Sequence, residues 1–191
     1  MKNNQFLLLC AAFWLVAFAP AGAQPAYLPI GAIQGAGDVS PYLNRFVNFR
    51  GVVTGRYEDE NTRGVVYHTL FVQELSGEGD DDERTSDAIA VFLGREPRLD
   101  IPTGAVVVVG GKVTEFFGLT EIDDEGLVIT VEREAGELPV PVVIAPPADM
   151  AAQDAYFEPL ESMRVAYGEP IVVAGPTHEG CGFAVIGETH A

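Results

Sequence analysis

Basic residues are scarce in this chain of 191 residues: 11 Lys and Arg stand against 28 Asp and Glu, a formal net charge of −17. A broad surface that grips phosphate backbones is built from clustered Lys and Arg, so this imbalance argues against one. Cysteine is equally sparse, and Cys10 and Cys181 cannot form the framework of a disulfide-stapled scaffold. Catalytic signatures are missing too: there is no Gly-x-Ser-x-Gly elbow, no His-Glu-x-x-His pair and no phosphate-binding P-loop. Amphipathic helical periodicity is hard to find between the apolar segments, which argues against a parallel α/β design. What remains is an acidic globular chain whose apolar share, 48%, is enough for a real core.

The one long apolar run lies at the start, from Phe6 to Ala19. Lys2 precedes it, Pro20 breaks it, and Ala21-Gly22-Ala23 supplies small residues where a signal peptidase reads. This is the order of a secretory signal peptide. The run is shorter than the roughly 20 residues that span a bilayer. Residues 1–23 are therefore read as a leader cleaved after Ala23, and the product as exported, secreted or periplasmic, with no membrane attachment after cleavage. Cleavage removes Lys2 and Cys10 but no acid, so the mature chain is more acidic still and Cys181 is its only thiol. A lone cysteine in an oxidising compartment implies a free thiol, an intermolecular bridge, or a partner beyond this chain; the last is the preferred reading.

Strand signals fill the middle of the chain. Phe46–Gly55 alternates, with Phe46, Asn48, Arg50 and Val52 on one face. Gly51 in mid-strand suggests a bulge or sharp bend. Further strands are expected over 69–73, 88–93, 105–115, with a bend at Gly110-Gly111, and 127–132. Turn-formers separate them at 61–64, 77–80, 102–104 and 123–126. The predicted fold class is all-β: an OB-fold-like, partly open Greek-key barrel with a short, incomplete β extension at its C-terminal end. The expected organisation is a lead-in over 24–41, the barrel over 42–134, a proline-rich linker over 135–156 and the start of a second, incomplete β module over 157–191. Val106 and Val108 make one strand apolar on both faces, which requires cover from elsewhere or leaves an aggregation risk.

Two constellations suggest ligands. Residues 74–87 hold seven acids and one base, Arg84, with Gly77 and Gly79 to permit tight turns. Such a loop is either a solvated hairpin or a weak Ca²⁺ site, with Asp80, Asp81, Asp82 and Asp87 as candidate ligands. Strand faces of such barrels that combine basic and aromatic residues contact nucleic acid. The candidates are Arg50, Arg56, Tyr57 and Lys112, and the even spacing of Arg50 and Arg56 would put them on one face. His68, beside a strand, is read as exposed or half-buried. His178 and Cys181 are three apart, but two ligands do not make a metal site.

Several motifs resemble a known family. Ile33-Gln34-Gly35-Ala36-Gly37-Asp38-Val39-Ser40-Pro41 is similar to the lead-in of large secreted bacterial nucleases of the endonuclease/exonuclease/phosphatase type. The resemblance continues through Phe49–Thr54, Thr85-Ser86-Asp87-Ala88-Ile89-Ala90-Val91-Phe92, Gly111–Ile122 and Pro159–Val165, in collinear order. In that family the region is an accessory OB-fold domain that usually precedes a separate catalytic domain. The resemblance implies an exported, non-catalytic accessory module for positioning or weak substrate contact, with a nuclease catalytic domain as partner in cis or in trans. It brings no catalytic residue into this chain. The competing reading is a stand-alone exported acidic binding protein, with calcium dependence as an option.

Overall fold

The computed structural model describes residues 27–95, 101–173 and 185–187. The leader over 1–23, His178 and Cys181 lie outside the described residues. Six strands form the main sheet: β1 (Phe46–Glu60), β2 (Val66–Gln73), β3 (Ala88–Gly94), β4 (Val106–Phe116), β5 (Leu119–Ile122) and β6 (Val128–Arg133). Their order is β1-β2-β3-β5-β4-β6, and an additional β1–β4 pairing curls the sheet back on itself. The β3–β5 pair is parallel and the other pairs are antiparallel. The fold is all-β and barrel-like, as the alternating segments and turn residues predict. β5 is not expected from the sequence, because four residues carry too little alternation to read.

Inward positions follow the period of two. Val47 and Phe49 of β1, Leu70 and Val72 of β2, and Val107, Val109 and Val113 of β4 form one core with Ile89, Val91 and Ile122. The lead-in belongs to this core. A five-residue helix, α1 (Ile30–Gln34), buries Ile30 and Ile33 completely. It is too short to show helical periodicity.

Gly51 has a different role from the one its position suggests. The β1–β4 register runs unbroken through Gly51↔Val107, and the bulge falls between Val53 and Gly55. Gly51 instead permits close approach: a Cβ there would lie 2.6 Å from Val72 Cγ1 and 2.7 Å from the Gln73 carbonyl oxygen. The Gly110-Gly111 pair marks a change of partner. The β6 ladder on β4 ends at Gly110, and the β5 ladder begins at Val113.

The doubly apolar strand is covered by its own chain. Val106 is fully buried, and the segment after β6 crosses it, with a Gly136 Cβ position 2.8 Å from Val106 Cγ2. The proline-rich region contains β7 (Val142–Ile144), which pairs in parallel with β8 (Val165–Tyr167). Between them lies α2 (Gln153–Phe157), flanked by 3₁₀ turns at Met150–Ala152 and Glu158–Leu160. Beyond, β9 (Ile171–Val173) pairs with β10 (Val185–Gly187). The segment around Glu161 is fastened to the barrel. Its carbonyl accepts from Ser86 Oγ at 2.5 Å, and its carboxylate accepts from the Thr120 N–H at 3.1 Å and the Gln34 amide at 3.2 Å. The Arg164 N–H donates to Gln73 Oε1 at 3.1 Å. Among the described residues no helix is long and apolar enough to cross a membrane.

Candidate functional site

The bulge in β1 builds the main cavity. Before it, odd-numbered residues face the core; after it they face outward. Tyr57 then stands opposite Thr69, and Asp59 opposite Tyr67, on the outer face of β2. Phe71 continues that face, and Phe92 lies opposite Thr69 on β3. The other wall comes from the β4–β5 hairpin, where Thr114 pairs with Glu121 and Phe116 with Leu119. Together these side chains enclose a groove of about 770 Å³. Its size suits a ligand cleft. Its place, on the β2–β3 face between the β1–β2 and β4–β5 connections, is where OB-fold barrels take ligands.

Five aromatic rings line the groove: Tyr57, Tyr67, Phe71, Phe92 and Phe116. Tyr67 and Phe92 are tilted by 30° with centroids 5.9 Å apart. The guanidinium carbon of Arg95 lies 5.9 Å above the Tyr67 ring, within cation–π reach. At the hairpin tip, Phe117 and Gly118 both have positive φ, 52° and 86°. A two-residue hairpin loop with φ positive at both positions is the type I′ form. Phenylalanine rarely adopts the left-handed region. Phe117 is nonetheless held there and is 97% exposed, edge-on to Phe116 with centroids 4.7 Å apart.

The polar part of the groove is acidic. Asp59, Glu121 and Asp123 line it, and among the described residues no Lys or Arg does. Glu121 is 8% exposed. Burial pushes its carboxyl up to about 7, and the negative charges of Asp123, Asp124 and Glu115 add to the shift.

Of the sequence candidates for nucleic-acid contact, only Tyr57 lines this groove. Arg50 is committed to two carboxylates: its Nε lies 2.7 Å from Glu132 and its Nη1 2.7 Å from Glu78. The expected shared face of Arg50 and Arg56 does not form. Arg50 lies opposite Val108, on the outer face, whereas Arg56 lies opposite core residue Leu70. The intervening bulge reverses the alternation. Lys112 is opposite Phe46, four positions along β4 from Val108. These three cations do not converge on one surface.

The acidic loop is largely occupied with itself. Asp82 holds Arg84 through two oxygens, at 2.9 and 2.7 Å, which keeps its carboxyl well below the usual range. Asp80 accepts from the Asp82 N–H at 3.0 Å and the Thr85 hydroxyl at 3.1 Å. Asp81 turns the chain at φ 57°. Asp87 is raised by burial and by Asp80 and Asp81. Glu74, not singled out beforehand, is more deeply placed: it accepts from the Ile30 N–H, while its Oε2 is buried without a hydrogen-bonding partner. Burial, with Asp87 and Asp80 nearby, pushes it up to about 7. Among the described residues no group of three or more His, Cys, Asp or Glu side chains is arranged to hold a metal ion. His68 is buried rather than exposed, with Nδ1 3.3 Å from the Glu58 carboxylate.

No protein-family model matches the chain, and neither does any curated protein or solved structure.

Proposed function

We propose that this chain is an exported, non-catalytic OB-fold-like accessory module, of the kind that precedes the catalytic domain in secreted nucleases of the endonuclease/exonuclease/phosphatase type. Its role is to position a partner through the aromatic groove. The observation that carries this reading is the groove itself, an aromatic cleft on the face where such barrels bind, with carboxylates as its charged groups. The motifs behind the family resemblance add support, because they are distant in sequence and meet in space. Gln34, Ser86 and Thr120, one from each of three of the five motifs, all hydrogen-bond to Glu161 of the last.

Carboxylates repel phosphate, and Arg50 is already neutralised by Glu78 and Glu132. Contact with a nucleic acid is therefore weak or indirect in this reading. Fluorescence anisotropy with labelled single- and double-stranded oligonucleotides at low salt tests it. The expected result is no saturable binding at micromolar protein. Saturable micromolar binding that Lys112→Glu abolishes would replace the positioning role with direct nucleic-acid binding. Calcium is the one cofactor this reading leaves room for. Glu74 Oε2 is the buried loop oxygen without a partner, and calorimetric titration with CaCl₂ reports whether it has one in solution.

A further inference from the structure

The groove combines a nearly continuous aromatic lining with a set of carboxylates, and among the described residues no Lys or Arg lines it. Glu121 is the most telling of these. It is 8% exposed and lines the groove, and no hydrogen bond to its carboxylate is present among the described residues. Its oxygens stay open to the groove while the rest of the side chain is shielded from water, so an incoming N–H donor can reach a carboxylate that burial has made costly to keep ionised. Five rings surround the same space, and ring faces attract cations. The protein already displays the contact in miniature, since the Arg95 guanidinium stacks over groove residue Tyr67.

We propose that the groove is a recognition site for an arginine side chain carried on a polypeptide segment of the partner, its guanidinium pairing with Glu121 while its planar face stacks on the groove rings. This inference rests on the positioning role proposed above and names the chemistry of the partner. Arginine fits better than lysine because a guanidinium is planar, weakly hydrated and able to meet a carboxylate through two N–H groups. A segment fits better than a free small cation because about 770 Å³ holds several times the volume of one arginine side chain.

The proposal also fixes a pH dependence. Glu121 faces Thr114, with Glu115 alongside, on β4, Ala90 on β3, and Asp123 and Asp124 just beyond β5; across the groove stands Asp59. The titratable groups in that set are acids, and a cation, Arg95, stacks over Tyr67 in the same groove. An arriving guanidinium therefore favours the ionised form of Glu121, and binding strengthens as pH rises from 6 to 8.

Isothermal titration of the chain with the peptide acetyl-Arg-Phe-Arg-amide tests this. The parallel probes are the same peptide with citrulline in place of arginine, a neutral maltohexaose and a thymidine hexanucleotide. The expected result is saturable binding of the arginine peptide, at least about tenfold tighter than the citrulline peptide, a gap of about 1.4 kcal/mol. Glu121→Gln should weaken it at least fivefold and flatten its pH dependence, while Tyr67→Leu weakens it with the pH dependence kept. Equal binding of the arginine and citrulline peptides, preference for maltohexaose, or no binding of any probe would overturn the arginine assignment and leave the positioning role to be judged by the anisotropy experiment. Preference for the hexanucleotide would overturn both.

Discussion

Replacing Gly51 with alanine is expected to lower the unfolding free energy by about 1–3 kcal/mol, the usual cost of forcing one extra group into a packed interior. The added methyl would press on Val72 Cγ1 and on the Gln73 carbonyl oxygen. The carbonyl belongs to the backbone of β2 and cannot rotate away, and Val72 is a fully buried core residue. The β1–β2 pairing would have to open at the place where β1 also pairs with β4. Gly55→Ala is the matched control. It lies on the same strand, has negative φ, and its Cβ would meet only Phe71 Cδ2, at an ordinary 3.6 Å. Alanine there should be neutral within about 0.5 kcal/mol or slightly stabilising. Urea unfolding of both variants measures the difference, and similar midpoints would mean that Gly51 does not govern close approach.

The second large effect concerns pH. Glu74, Glu121 and Glu161 each sit in a setting dominated by burial, which raises them from an ordinary value near 4.5 to about 7. Between those two values the folded protein holds protons that the unfolded chain has released. Stability therefore falls as pH rises through that window, and it is highest on the acid side of it. Thermal unfolding followed from pH 5.5 to pH 8 should show a lower midpoint at the higher pH. A total difference of even about 1 kcal/mol moves the midpoint by roughly 2–4 °C for a chain of this size. Relief of general acidic repulsion acts in the same direction. The variant Glu74→Gln/Glu121→Gln/Glu161→Gln separates the two contributions: its profile should be distinctly flatter than that of the parent. An unchanged slope would assign the whole effect to net charge.

The barrel was legible because its strands obey a simple period. The residues of β1 through Val53, and those of β2 and β4, alternate as a half-buried sheet requires, and Gly and Asp mark the turns between strands. Three features were not legible, each for a physical reason. The bulge after Val53 shifts the alternation by one residue, and nothing in Val52-Val53-Thr54-Gly55 distinguishes it from regular strand. It reverses the face of every later residue in β1, so it separated Arg56 from Arg50 and turned Tyr57 toward the groove. The pairing that neutralises Arg50 comes from Glu78 and Glu132, which are 28 and 82 residues away. The groove draws on five stretches of chain, and Phe92 and Phe116 look like ordinary core residues when each strand is read alone. The signals available in sequence were the alternation of Tyr67, Thr69 and Phe71 with His68, Leu70 and Val72, and the adjacent aromatics Phe116-Phe117 before a glycine.

Val106 makes the converse point. Apolar on the outer face, it suggested cover by another module, and the cover comes from the chain's own residues around Gly136. Glu161 is similar: a charge in the segment expected to open a second module is the acceptor for Gln34 and Thr120.

The central claim is that this barrel presents its ligand through the aromatic groove and not through its scattered cations or its acidic loop. Amide chemical-shift mapping of the ¹⁵N-labelled chain, titrated with the arginine peptide, tests it most directly. The predicted result is a set of perturbations at Tyr57, Tyr67, Phe71, Phe92, Phe116 and Glu121, with Arg50, Lys112 and residues 74–87 unmoved. Perturbations centred on the 74–87 loop or on Arg50 and Lys112, with the groove silent, would contradict it.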